Sequence, residues 1–148
     1  MKNNDQVTIL IAEDDDGHAL LIRRRFEEVG VNNPVLRFKN GLAAWEFISG
    51  KSKPCLDADK HYLLLLDIRM PELDGVEVLR RVKSAPHLKS LPIIMLTTTD
   101  DPRKISRCYE LGCNNYLVKP IEFDKFSETI KRLGLFLMIV KAGKTKAE

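Results

Sequence analysis

Four short polar stretches, each closing an apolar run, carry the side chains best suited to chemistry in this sequence. Glu13-Asp14-Asp15-Asp16 follows VTILIA, Asp67 follows YLLLL, Thr97-Thr98-Thr99 follows PIIML, and Lys119-Pro120 follows NYLV. Carboxylates brought face to face repel one another unless a cation sits between them. Oxygen donors of this kind suit a hard ion. Mg²⁺ favours one or two carboxylates, several waters and a phosphate oxygen. An aspartate beside such an ion can attack phosphorus and form an aspartyl phosphate, with the metal offsetting the repulsion between the two anions. A hydroxyl and an ammonium on the same rim can then bind the phosphoryl oxygens. Asp67 is the candidate nucleophile, because it ends the run expected to be buried most deeply.

These residues meet only if the apolar runs lie side by side. Val7–Ala12 is β-branched and apolar and is expected to be a buried strand. Asp16 can cap the helix that follows, with Ala19, Leu20, Ile22, Phe26 and Val29 as its apolar surface and Gly30 as its end. Pro34 opens a second strand, Val35–Phe38. Asn40 caps a helix over Leu42–Ser49 that carries Trp45 and Ile48, and residues 50–61 form a polar loop. Tyr62–Leu66 has the continuous apolar character of a central parallel strand. Asp74 caps Val76–Lys83, Pro92 precedes strand Ile93–Leu96, and Asp101-Pro102 starts a helix closed by Gly112. Tyr116–Val118 is the fifth strand, and a last helix from Phe123 or Asp124 extends to about Val140.

Strand and helix thus alternate five times, which implies an α/β fold with a parallel sheet covered by helices on both faces. Right-handed crossovers leave a flavodoxin-like, doubly wound, five-stranded sheet of order 2-1-3-4-5. Such sheets bind ligands outside the carboxyl ends of their strands, which is where all four polar stretches fall. No repeat or low-complexity segment interrupts the pattern. The expected organisation is one domain over 1–148, with 134–148 a helical extension and tail.

The stretches ILIAEDD, LLLLDIRMPELDG, PIIMLTT and NYLVKP, each at the matching strand end and in the matching order, resemble bacterial response-regulator receiver domains over nearly the whole chain. The resemblance implies a two-component phosphorelay in which a sensor histidine kinase supplies the phosphoryl group to Asp67. It implies that Asp14 and Asp67 ligate Mg²⁺ directly, that Glu13 acts mostly through water, and that the backbone carbonyl of Arg69 completes the protein ligands. Thr97 would bond a phosphoryl oxygen, and Lys119 would pair with the phosphate and with Asp67. Pro120 would follow a cis peptide bond. Tyr116 would be an aromatic switch that turns inward when Thr97 moves, although an aromatic in a strand also packs without switching. The loop LDADKHY, the LTTT run and the ending RLGLFLMIVK are similar to the stand-alone regulators that partner bacteriophytochrome histidine kinases.

Rival chemistries fit less well. A haloacid-dehalogenase-type phosphohydrolase has Asp-x-Asp at its nucleophile, with the second Asp as general acid, and here that position is Arg69. A dinucleotide-binding domain needs Gly-x-Gly-x-x-Gly after the first strand, where this chain has an acidic turn. A pseudo-receiver that only binds partners would lack a site residue, and none is missing. The expected protein is therefore a signalling phospho-acceptor rather than a turnover enzyme. With the chain stopping at Glu148, its output is expected to be a protein contact and not DNA binding.

Composition agrees with that reading. The 148 residues carry a net charge of +3, and their basic residues are scattered apart from Arg23-Arg24-Arg25, expected on a solvated helix face, and the tail lysines. That is no nucleic-acid footprint. The three cysteines, Cys55, Cys108 and Cys113, show no Cys-x-x-Cys spacing, so no zinc or redox pair is indicated. No apolar run approaches the roughly 20 residues of a membrane helix, and the polar start MKNNDQ is no signal peptide. A cytoplasmic protein is expected. His18, His61 and His87 share no ligand spacing, although His18 can border the acidic cluster. In the last helix, Phe123, Phe126, Ile130 and Leu133 cover one face, whereas Leu135–Val140 is apolar all round. That surplus predicts a C₂ homodimer through this helix, the alternative being that it folds into the domain's own core.

Overall fold

The computed structural model describes residues 6–147, with side chains through residue 138. Five strands, β1 (Val7–Ala12), β2 (Val35–Phe38), β3 (His61–Leu66), β4 (Ile93–Thr97) and β5 (Asn115–Val118), form one sheet of order β2-β1-β3-β4-β5. All neighbouring pairs are parallel. The helices between and after them are α1 (Asp16–Glu28), α2 (Gly41–Ser49), α3 (Gly75–Ser84), α4 (Pro102–Leu111) and α5 (Phe123–Ala147). The expected topology and strand order are those observed.

The period of two along each strand divides the core. Ile9, Ile11, Leu63, Leu65, Ile94 and Leu96 face α1 and α5, where Ile22, Phe26, Phe126, Ile130 and Leu133 cover them. Leu10, Ala12, Leu64, Leu66, Ile93 and Met95 face α2, α3 and α4 through Phe47, Ile48, Val78, Leu79, Val82 and Cys108. Burying a side chain such as Ile22 or Ile130 stabilises the fold by about 1.5–3 kcal/mol. Both faces of the central strands are thus apolar, which is why YLLLL shows no alternation.

Asn40, Asp74 and Asp101 cap α2, α3 and α4 as the sequence implied, each carboxylate or amide oxygen accepting a backbone N–H of the first turn. Gly112 closes α4 at φ 111°, a left-handed position that suits glycine. Three expectations need correction. Asp15, not Asp16, caps α1: its carboxylate accepts from His18 N at 3.0 Å, while Asp16 is the first helical residue and pairs with Arg37 from β2. Leu20 is 49% exposed and its neighbour Leu21 is buried in its stead, while Ala19, Ile22 and Phe26 face the core as expected. Phe123 is 64% exposed, because the first turn of α5 has no packed element over it and the core contact begins at Phe126. α5 continues past Val140 to Ala147. Ile139 and Val140, expected to be part of its apolar surplus, lie outside the described side chains.

Candidate functional site

Strand register builds the site. Ala12 is level with both Phe38 and Leu66, so the next residues, Glu13 and Asp67, emerge side by side at the carboxyl rim. Thr97 is level with Val118, which brings Lys119 to the same rim. Backbone bonds continue the ladders one step: Asp67 N donates to Ala12 O at 3.1 Å and Lys119 N donates to Thr97 O at 2.7 Å. Glu13, Asp67, Thr97 and Lys119 are all buried, and Asp14 is exposed beside them.

One ligand oxygen from each of Glu13, Asp14 and Asp67 lies within 4.8 Å of the others. Lys119 Nζ bridges this cluster, donating to Glu13 Oε1 and, at 3.1 Å, to Asp67 Oδ2. Asp67 Oδ1 accepts from Ile68 N at 2.7 Å, which sets the rotation of the carboxylate. Burial pushes the Glu13 carboxyl up to about 7; Lys119 opposes the shift and Asp67 adds to it. One ammonium therefore offsets three acids incompletely. The donor set is all oxygen, partly solvent-facing and net negative, which fits Mg²⁺. Asp14 also lines an open pocket of about 480 Å³ beside the cluster, together with Arg69, Met70, Asp74, Thr99 and Lys104.

Three further residues hold this geometry. Arg37 Nε donates to the Glu13 carbonyl at 2.8 Å and Nη1 to Asp16 Oδ1 at 2.8 Å, pinning the acidic turn from β2. Gly75 packs so tightly under Asp67 that a Cβ would stand 2.0 Å from the Asp67 carbonyl oxygen. His18 Nδ1 lies 3.1 Å from Lys119 Nζ. His18 borders the acidic cluster as its place in the sequence suggests, whereas the Arg37 contacts join positions 21 and 24 residues apart, which no local pattern reveals.

The remaining expected residues divide. Thr97 is fully buried on the rim and its hydroxyl accepts from Thr99 N at 3.5 Å. Tyr116 already points inward: it is buried, and its hydroxyl donates to the Thr99 carbonyl at 2.7 Å. Burial pushes that phenol up to about 12. The peptide before Pro120 is trans, against expectation; among the described residues the cis bond is Lys53–Pro54. Trans is the lower-energy form of an X–Pro bond by about 0.5–1 kcal/mol, and from it Lys119 already reaches both Glu13 and Asp67.

A family model described as the response regulator receiver domain matches residues 9–131. The chain therefore belongs to the receiver domains of two-component response regulators, proteins that act as signalling phospho-acceptors. Among solved structures it is similar to a response regulator receiver domain from Rhodospirillum rubrum, at 40% identity and TM-score 0.83, covering 90% of this chain and 94% of that one. It also resembles the Mn²⁺-bound form of response regulator Rcp1, at 28% identity and TM-score 0.81 over 88% and 94% of the two chains. The phosphorylated cyanobacterial phytochrome response regulator RcpA matches at 27% identity and TM-score 0.80, over 88% and 93%.

Proposed function

We propose that Asp67 accepts a phosphoryl group from a sensor histidine kinase in a Mg²⁺-dependent reaction. The observation that carries this reading is the convergence of Glu13, Asp14 and Asp67 within 4.8 Å, bridged by one lysine. Asp14, Asp67 and the backbone carbonyl of Arg69 would hold the ion, with Glu13 acting through water. When bound, Mg²⁺ supplies charge neutralisation between carboxylate and phosphoryl group. An oxygen of Asp67 attacks phosphorus, the bond to the donor histidine breaks, and its electron pair leaves with the imidazole. Lys119 and the Thr97 hydroxyl then bind the transferred phosphoryl oxygens, and movement of Thr97 is relayed through the Thr99 segment to Tyr116. Arg69 stands where a phosphohydrolase carries its acid, so the acyl phosphate persists as a signal.

The structural likeness to RcpA, a phytochrome response regulator, supports a bacteriophytochrome as the kinase. The exposure of Leu135, Phe136 and Met138, between 42% and 53%, supports a homodimer through α5. Of the apolar surplus Leu137 packs inward on the core, so the fold-back alternative accommodates only part of it. We further assign residues 1–148 to a single receiver unit with 134–148 as its extension, acting in the cytoplasm; among the described residues no helix is long and apolar enough to cross a membrane.

The test is phosphotransfer from an autophosphorylated bacteriophytochrome kinase, with and without Mg²⁺, followed by light scattering of the wild type and Phe136→Glu. Transfer only with Mg²⁺, and a dimer lost in Phe136→Glu, are the expected results. Metal-independent labelling removes the metal assignment, and a wild type that stays monomeric in both phosphorylation states removes the dimer.

A further inference from the structure

An ammonium has three N–H bonds and no lone pair. Lys119 has three acceptors facing it: Glu13 Oε1, Asp67 Oδ2 and His18 Nδ1. The first two belong to the acidic cluster. The third comes from α1, one turn past the capping Asp15, and spans 101 residues of sequence. The His18 ring stands edge-on to Phe126 of α5, with centroids 5.1 Å apart and planes at 82°. The face of the same Phe126 ring lies 5.9 Å from Lys119 Nζ. Imidazole and phenyl ring together form a fixed seat for the ammonium, built from the two helices that cover one face of the sheet.

From this geometry we infer that His18 is a positioning residue for Lys119: its Nδ1 lone pair holds one N–H of the ammonium, and Phe126 holds the imidazole in place. The other two N–H bonds are then free to turn from Glu13 and Asp67 toward phosphoryl oxygens on Asp67 without the lysine leaving its seat. Since Lys119 can only donate, the nitrogen facing it must be unprotonated, and the ring proton belongs on Nε2. A directed acceptor is the difference between a lysine held over the acceptor oxygen and one free to sample several rotamers. The seat also joins the site to α5, so a change in the packing of that helix at Phe126 would reach the phosphorylation site directly. This inference rests on the phosphorylation reading above and deepens it.

Two variants and one spectrum test it. His18→Phe keeps a ring against Phe126 and deletes the acceptor; His18→Asn restores an acceptor near the Nδ1 position. Nitrogen-15 NMR of the unphosphorylated protein should show His18 protonated on Nε2, with Nδ1 a hydrogen-bonded acceptor. With acetyl phosphate and saturating Mg²⁺, His18→Phe should slow labelling of Asp67 by roughly three- to tenfold, the range of one hydrogen bond, and His18→Asn should recover most of that loss. A proton on Nδ1, a His18→Phe variant as fast as wild type, or equal impairment in both variants with intact thermal melts would each overturn the inference. A wild type that takes no phosphate would sink the phosphorylation reading instead, and the tautomer signal, which needs no phosphate, would still decide the His18–Lys119 contact.

Discussion

Replacing Asp14 by Asn should stabilise the metal-free protein and destabilise it relative to wild type once Mg²⁺ is present. The Asp14 carboxylate faces those of Glu13 and Asp67 with ligand oxygens within 4.8 Å. At that separation one pair of unit charges repels by about 1 kcal/mol in water and about 3.5 kcal/mol at an effective dielectric of about 20. Asp14 is exposed, so the lower figure applies, in full against Asp67 and about half against Glu13, whose carboxyl sits at about 7, and the buried Lys119 ammonium cancels part of the sum. A net relief of about 1 kcal/mol raises the melting temperature by about 2–4 °C for a chain of this size. Wild type in Mg²⁺ at about 100 times its dissociation constant gains about 2.7 kcal/mol, and a variant without a charged ligand gains little. Thermal melts of both proteins in EDTA and in saturating Mg²⁺ should therefore cross over, the variant melting higher without metal and lower with it. A variant less stable than wild type in EDTA, or one with the full Mg²⁺ shift, would refute the idea that these carboxylates form a strained metal site.

Gly75→Ala should destabilise by about 1–3 kcal/mol, the usual cost of overpacking, because its Cβ would press on the Asp67 carbonyl oxygen at 2.0 Å; a thermal melt unchanged from wild type would contradict this. In native protein at mildly alkaline pH, a thiol reagent should label Cys55, which is half-buried, and spare the buried Cys113 and the fully buried Cys108, whose thiol burial pushes up to about 11; peptide mass mapping reads the result. Arg80 and Arg81 hold the Glu77 carboxyl at about 2, below its ordinary 4.5. A depressed carboxyl stabilises above its unfolded value, and that contribution fades as pH falls from 4.5 through about 2. The clamp is solvent-screened and its worth small, so the readout is an NMR titration of Glu77, whose midpoint should move back toward 4.5 in Arg80→Ala.

The sheet was legible because its signals are local. Apolar runs mark the strands, and Asn40, Asp74, Asp101 and Gly112 mark helix ends by side-chain and backbone chemistry that acts within one turn. The four rim stretches were legible for the same reason, since each closes a strand or directly follows one. Misreadings came where distant residues decide. Any acid from Asp14 to Asp16 could cap α1, and Arg37 on β2 draws Asp16 away and leaves the cap to Asp15. Leu20 and Leu21 are adjacent leucines, and only the packing of α1 on the sheet selects between them. His18 gains its partner from the far end of the chain.

The central claim is that Asp67 carries the phosphoryl group. Incubation with acetyl phosphate and Mg²⁺, borohydride reduction of the acyl phosphate to homoserine, and peptide mass mapping test it most directly. The account predicts homoserine at position 67, and no phosphoryl group in Asp67→Asn or in EDTA, since an amide is no nucleophile. Homoserine at Asp14 or Glu13 in the wild type, or equal labelling of Asp67→Asn, would contradict it.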